Sequence, residues 1–247
     1  MRGEVRVVPL RGLPELEEGD DLAAFLAEAA RETGGLEPGD VVVVAQKAVS
    51  KVEGRVVSLD GIEPSPRARE LAGEEDARRI EVVLREAREV IRSRPPLVIA
   101  ETAHGFVCAS AGVDASNAKG PDTLVLLPLD PDASAARLRE RLLELTGIAV
   151  GVIVSDSFGR AFRKGTTDVA LGVAGLTPLL DLKGERDSAG YELHATEIAV
   201  ADELASAAEL VMGKTRGIPA AIVRGVDVAG EGLGADLLMP RDRDLFR

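Results

Sequence analysis

The sequence holds one cysteine, no tryptophan, one tyrosine and two histidines in 247 residues. Each scarcity excludes something. A single cysteine, Cys108, can close no intramolecular disulfide and build no cysteine-clustered metal centre. Within GFVCASAG it reads as a small hydrophobe on a buried strand. His104 and His194 are too few for a histidine-built centre, so any metal must be held by oxygen, which favours magnesium, manganese or calcium. With so few aromatic rings the chain lacks stacking platforms for bases. A net charge of −12 opposes non-specific binding to a polyanion, so no nucleic-acid partner is expected. The longest unbroken apolar run, residues 147 to 154, is far too short to cross a bilayer. The opening MRGEVRVVPL reads as a short alternating strand without the apolar core of a signal peptide. The expectation is a cytoplasmic protein with no membrane partner.

What is present is a globular composition, 45% hydrophobic and 29% charged, in a chain long enough to bury a substantial core. Strands are predicted at 4–10, 41–45, 96–101, 106–110, 123–127, 149–154 and 220–224. Several are continuous Val/Ile runs, as in strands covered on both faces. Helices are predicted over 19–35, 65–96 (with a break at Gly73), 132–147 and 195–213. The class is α/β, but the order is not a regular βαβ alternation, which argues against a Rossmann or TIM architecture. No linker or repeat is legible, so residues 1–247 read as one catalytic unit, with room for two lobes.

Two glycine motifs mislead. MGKT (212–215) has the ending of a P-loop, but Ala208 stands where the first glycine is needed, and the segment follows a helix. GEGLGA (230–235) fits the loose dinucleotide fingerprint with only twelve residues after it, too few for a βαβ unit. Both read as turns.

Four ionic stretches remain. AQKAVSKVEGR (45–55) places Lys47 and Lys51 four apart, on one face of a helical turn, where both could grip a phosphate chain; the plain alternative is a solvated hairpin. The chain has only six lysines, which gives each of them more weight. In AGVDASNAKG (111–120), Asp114 follows small residues, with Ser116 and Asn117 behind it; the plain alternative is an Asx turn. SDSFGRAFRKGT (155–166) reads as the end of a buried strand in Asp156 and Ser157, which could hold a hard cation. Arg160, Arg163 and Lys164 follow as partners for phosphate or carboxylate oxygens. The plain alternative is a capped turn with ordinary surface cations. MGKTRGIPAA (212–221) is a basic, glycine-broken turn after a helix, or a simple C-cap. Together these residues describe a divalent-metal, nucleoside-triphosphate site without a P-loop, and leave the substrates open.

The ordered series GLPELEEGDDLA, QKAVSKVEGR, AGVDASNA, DSFGRAFRKGT and GIPAAIVRGVDVAGEG resembles the coenzyme F420-0:L-glutamate ligase family, the F420 γ-glutamyl ligases, over about residues 5 to 234. The resemblance implies an enzyme that adds L-glutamate to the phospholactate end of F420-0. It implies GTP as a substrate, magnesium or manganese, a monovalent cation such as potassium, and an intertwined homodimer with an α/β fold of its own. By matched position, Asp114 and Asp156 would be metal ligands, and Ser157 would give its hydroxyl to a second metal. Gln46, Lys47, Lys51 and Asn117 would contact GTP. Leu13, Pro14, Glu15 and Leu16 would line the nucleotide pocket with the turn of Met212, Gly213, Lys214, Thr215, Arg216, Gly217 and Ile218. One departure stands out: some members carry a metal-ligating glutamate in that turn, where this chain has Lys214 and is one residue shorter. The catalytic cations would be Lys47, Lys51, Arg160 and Arg163. Some bacterial relatives are fused to a flavin-dependent reductase, so a separate reductase is a further expected partner. Two other readings fit the same ionic set: a metal-dependent phosphotransferase or phosphohydrolase, and a non-catalytic GTP-binding subunit.

Overall fold

The computed structural model describes residues 3–246. Met1 and Arg2, read above as the start of the first strand, and Arg247 lie outside the described residues. In chain order the elements are β1 (Arg6–Leu10), α1 (Leu22–Glu32), β2 (Val41–Ala45), α2 (Gln46–Val52), β3 (Val56–Ser58), α3 (Pro66–Ala72), α4 (Ala77–Glu86), β4 (Ala87–Arg94) and β5 (Leu97–Thr102). Then follow β6 (Val107–Ala109), β7 (Thr123–Val125), α5 (Pro131–Thr146), β8 (Gly151–Arg160), β9 (Arg163–Ala174), β10 (Leu180–Asp181), β11 (Glu197–Ile198), α6 (Val200–Met212) and β12 (Ala220–Arg224). The fold is mixed α/β, with several open sheets.

A five-stranded sheet, ordered β1-β12-β2-β8-β9, forms the centre. Only the β2–β8 pair is parallel. The valines of β2 show why such a run is uniformly apolar. Val42 and Val44 pack with Leu22, Leu26 and Leu142 of α1 and α5, whereas Val41 and Val43 pack with Leu204, Ala205 and Ala208 of α6. Successive side chains point to opposite faces, and both faces are covered by helices. A second core, of Leu71, Ile80, Val83, Val98 and Ala100, joins α3 and α4 to the small sheet β4-β5-β6.

Two expectations are corrected. The helix expected over 65–96 is α3, α4 and then a strand. Gly73, at φ +61, stops α3, and Asp76 restarts the helix by accepting from the Arg78 N–H at 2.9 Å. The arginine- and glutamate-rich segment Ala87–Arg94 is helix-prone by composition, but it pairs antiparallel with β5. Cross-strand pairing overrides its propensity. The second correction concerns the strand expected to end at Asp156. β8 continues to Arg160, turns at Ala161 and Phe162, and returns as the twelve-residue β9. The ionic residues that resemble a turn are the outer half of this ribbon. The segments 212–215 and 230–235 are indeed not phosphate loops: the first ends α6, and the second leads into a short 3-10 turn.

Candidate active site

At the C-terminal ends of the parallel pair β2 and β8, a cleft of about 340 Å³ opens, within the size range of small-molecule sites. Six separate segments line it: the loop Leu13–Leu16, the start of α2, Asn117, Ser155 to Ser157 of β8, Asp168 of β9, and the end of α6 with Gly213, Lys214 and Gly217 to Pro219 after it.

β2 passes directly into α2, so Gln46, Lys47 and Lys51 stand on the first turns of a helix at the C-terminal end of the sheet's middle strand. The helical reading of this stretch holds and the hairpin alternative does not. Both lysines are largely covered and committed. Lys47 Nζ lies 2.6 Å from Asp114 Oδ2 and donates to Ser116 Oγ at 2.5 Å. Lys51 Nζ donates to Glu15 Oε1 at 2.5 Å. Gln46 is buried; its Oε1 accepts from Ser50 Oγ at 2.9 Å, while its Nε2 has no hydrogen-bond partner. A buried donor without a partner costs roughly 1–3 kcal/mol, and a ligand acceptor in the cleft would satisfy it.

Asp114 does form an Asx turn, accepting the Ser116 N–H at 2.7 Å. The same turn aims its second oxygen at Lys47. Burial alone would raise this carboxyl, but the hydrogen bonds from Lys47 and the Ser116 N–H outweigh it and hold Asp114 below the ordinary carboxylate range. Asp156 behaves oppositely. Burial, then the negative charges of Asp114 and Asp168, push it up to about 7, against the pull of the Ser157 N–H and Lys47. Glu209, on the last turns of α6, is also raised by burial and by Asp168. The cleft therefore carries more negative charge than its own lysines neutralise.

An all-oxygen set of this kind suits a hard cation. Among the described residues no three of His, Cys, Asp or Glu converge closely enough to hold a metal by themselves. The set fits a cation that takes part of its shell from a substrate.

The sequence-predicted residues divide clearly. Leu13, Pro14, Glu15, Leu16, Gln46, Lys47, Lys51, Asn117, Asp156, Ser157, Met212, Gly213, Lys214, Gly217 and Ile218 all line the cleft. Asp114 adjoins it through Lys47. Thr215 and Arg216 do not line it. Arg160 and Arg163, expected as catalytic cations, are exposed at the end of the β8–β9 ribbon and are not among its walls. Their place outside the walls follows from the continuation of β8 past Ser157. Asp168, Ser155 and Glu209 line the cleft without having been singled out. The first two become legible only when 163–174 is read as the returning strand, for which Thr166, Thr167 and Val169 were the β-branched signal.

A family model described as F420-0:Gamma-glutamyl ligase matches residues 12–225, a span that contains every wall of this cleft. The chain belongs to that family. Among curated proteins, the "Coenzyme F420:L-glutamate ligase" of Methanothermobacter thermautotrophicus is 45% identical, covering 98% of this chain and 99% of its own. Proteins of the same name from Methanocaldococcus jannaschii (48% identical, 86% of each chain) and Methanopyrus kandleri (46%, 98% of each) are similar to it as well. Membership of the ligase family agrees with the resemblance drawn from the five ordered motifs. No helix among the described residues is long and apolar enough to cross a membrane.

Proposed function

We propose that the protein is a GTP- and divalent-metal-dependent ligase that joins L-glutamate to the phospholactate carboxylate of F420-0, any further glutamates being γ-linked. The observation that carries this reading is the convergence of Lys47, Lys51, Asp156 and Ser157 in one cleft, with Asp114 held beside it, in a chain whose relatives of that name match nearly its full length.

Amide formation from a carboxylate needs a better leaving group than oxide. In the proposed reaction a carboxylate oxygen of F420-0 attacks the γ-phosphorus of GTP, and the bond to the β-bridging oxygen breaks to release GDP. The glutamate amine then attacks the acyl carbon, inorganic phosphate leaves, and the nitrogen gives up a proton. Both steps bring anions together, so charge must be neutralised. Asp114, Asp156 and Ser157 would hold magnesium or manganese, which when bound lowers the repulsion between the reacting anions. Lys47 and Lys51 contribute fixed positive charge from one helix face. Gln46 offers its unpartnered amide to the nucleotide, beside Asn117 and the apolar wall of Leu13, Leu16, Met212 and Ile218. Lys214 supplies charge by touching phosphate, where some relatives place a carboxylate. A potassium ion, a homodimer interlocked through the β8–β9 ribbon, and a separate flavin-dependent reductase belong to the same reading.

Mass spectrometry of F420-0 incubated with the protein, GTP, Mg²⁺ or Mn²⁺ and L-glutamate tests it. Mass steps of one glutamyl unit that vanish without GTP are expected. GTP loss with no glutamate added would replace the ligase by a phosphotransferase or phosphohydrolase. GTP binding without turnover would leave a nucleotide-binding subunit.

A further inference from the structure

Asp168 lies in the cleft wall, 4% exposed. In the β8–β9 register it stands directly opposite Ser157, so the two side chains share a face of the ribbon. Ser157 Oγ donates to Asp168 Oδ1 at 2.5 Å, and Ser155 Oγ donates to Oδ2 at 3.2 Å. A serine hydroxyl has one proton and two lone pairs, whereas a carboxylate only accepts. With its proton committed to Asp168, Ser157 presents lone pairs alone to the cleft. It can face a cation there, and it cannot donate to a phosphate oxygen.

The backbone that carries Asp168 is tied down from behind. Ser206 Oγ of α6 donates to the Asp168 carbonyl at 2.8 Å and lies 2.7 Å from Thr167 Oγ1. One turn earlier on α6, Asp202 Oδ1 accepts the Ala170 N–H at 2.8 Å. These ties pin residues 167 to 170 to a helix, which holds the Asp168 carboxylate at a fixed place against Ser157.

We propose that Asp168 is a positioning residue for the cation site: it accepts the hydrogen bond of the Ser157 hydroxyl and so turns that oxygen's lone pairs to a cation. The inference rests on the proposed role of Ser157 toward a divalent metal.

The test is Mn²⁺ binding followed by electron paramagnetic resonance, with GDP present and no turnover, for the wild type, Asp168→Asn, Ser157→Ala and the double variant. Each single variant is expected to bind Mn²⁺ about tenfold more weakly, the lower end of what outer-shell partners contribute, and the double variant no more weakly than Ser157→Ala. At saturating Mn²⁺ the Asp168→Asn enzyme regains its kcat, whereas a merely structural loss would depress kcat at every metal concentration. Wild-type affinity in Asp168→Asn overturns the proposal. So does further weakening in the double variant, which would make Asp168 a direct ligand. Should Asp168→Asn not fold, or its amide oxygen still accept the Ser157 hydroxyl, Asp168→Ala, which has no acceptor, decides by the same outcomes. Failure of the wild type itself to bind Mn²⁺ would instead overturn the metal reading beneath the inference.

Discussion

Lys47 holds together the charge balance of the cleft. Its ammonium is the cation nearest Asp114, and it also pulls down the Asp156 carboxyl. A methionine there keeps the aliphatic packing and removes the charge. Lys47→Met should lower kcat/KM for GTP by about 10²–10³, the scale of losing one preorganised electrostatic group, and should leave the far-UV circular dichroism unchanged. A loss below tenfold would remove Lys47 from the reaction. Asp156 gives a second consequence, this one for stability in EDTA. Its carboxyl is raised from the ordinary 3.8 to about 7 in the folded chain. Below about pH 4 both folded and unfolded chains are protonated at this group, and it contributes nothing to the pH dependence. Between about 4 and 7 the unfolded chain ionises first, so the folded state loses stability as pH rises, and the penalty is complete above 7. Urea titrations in EDTA should show this decline, and Asp156→Asn should flatten it within that window. An unchanged slope in the variant would place the raised group elsewhere.

At the scale of elements, the contact between β9 and the start of α5 positions one wall of the sheet. A Cβ on Gly172 would lie 2.0 Å from the Pro131 carbonyl oxygen, and Asp132 accepts the Val173 and Gly234 N–H groups at 2.8 and 2.6 Å. Both neighbours of Gly172 at that spot are backbone, so neither can swing aside. Gly172→Ala should destabilise the fold by about 3 kcal/mol, the upper part of the range for overpacking, seen as a lowered urea midpoint at unchanged slope. A shift under about 0.5 kcal/mol, the size of an ordinary surface change, would show that the strand slides freely. This contact also marks what the sequence could not show. β2 and β12 were legible to the residue because both faces of each are buried and their runs are uniformly apolar. α5 was legible to within one residue because Asp130 caps its start, Pro131 opens it, and Gly147 stops it in the left-handed region. β4 and the outer halves of β8 and β9 were not. Their residues are charged or exposed, and what makes them strands is a partner across the ribbon. The site divided along the same line. Lys47, Lys51, Asp114 and Asp156 were found from local motifs. Asp168 was missed because its meaning depends on facing Ser157 across a hairpin.

At the scale of the whole molecule, the β8–β9 ribbon loses its cover towards the tip. Residues up to Ser155 are buried, whereas Gly159 to Thr166 are exposed on both strands. A lone two-stranded ribbon is marginal in water. Phe162 at its turn is 92% exposed, and its ring centroid lies 5.8 Å from that of Phe246; Leu245, the residue before Phe246, is also 92% exposed. Exposed apolar residues gathered where the tip of this arm meets the C-terminal segment mark an interaction surface, and the proposed interlocked homodimer would bury them against a second copy. Arg160 and Arg163, which do not line their own cleft, are carried on the same arm. Sedimentation should therefore give twice the 25.9 kDa chain mass. Phe162→Asp places a charge in the apolar contact, and it should shift the equilibrium to monomer while Mn²⁺ binding, read from the protomer's own cleft, stays unchanged. A wild-type monomer at micromolar concentration, or a Phe162→Asp dimer as stable as the parent, would leave the arm without this partner.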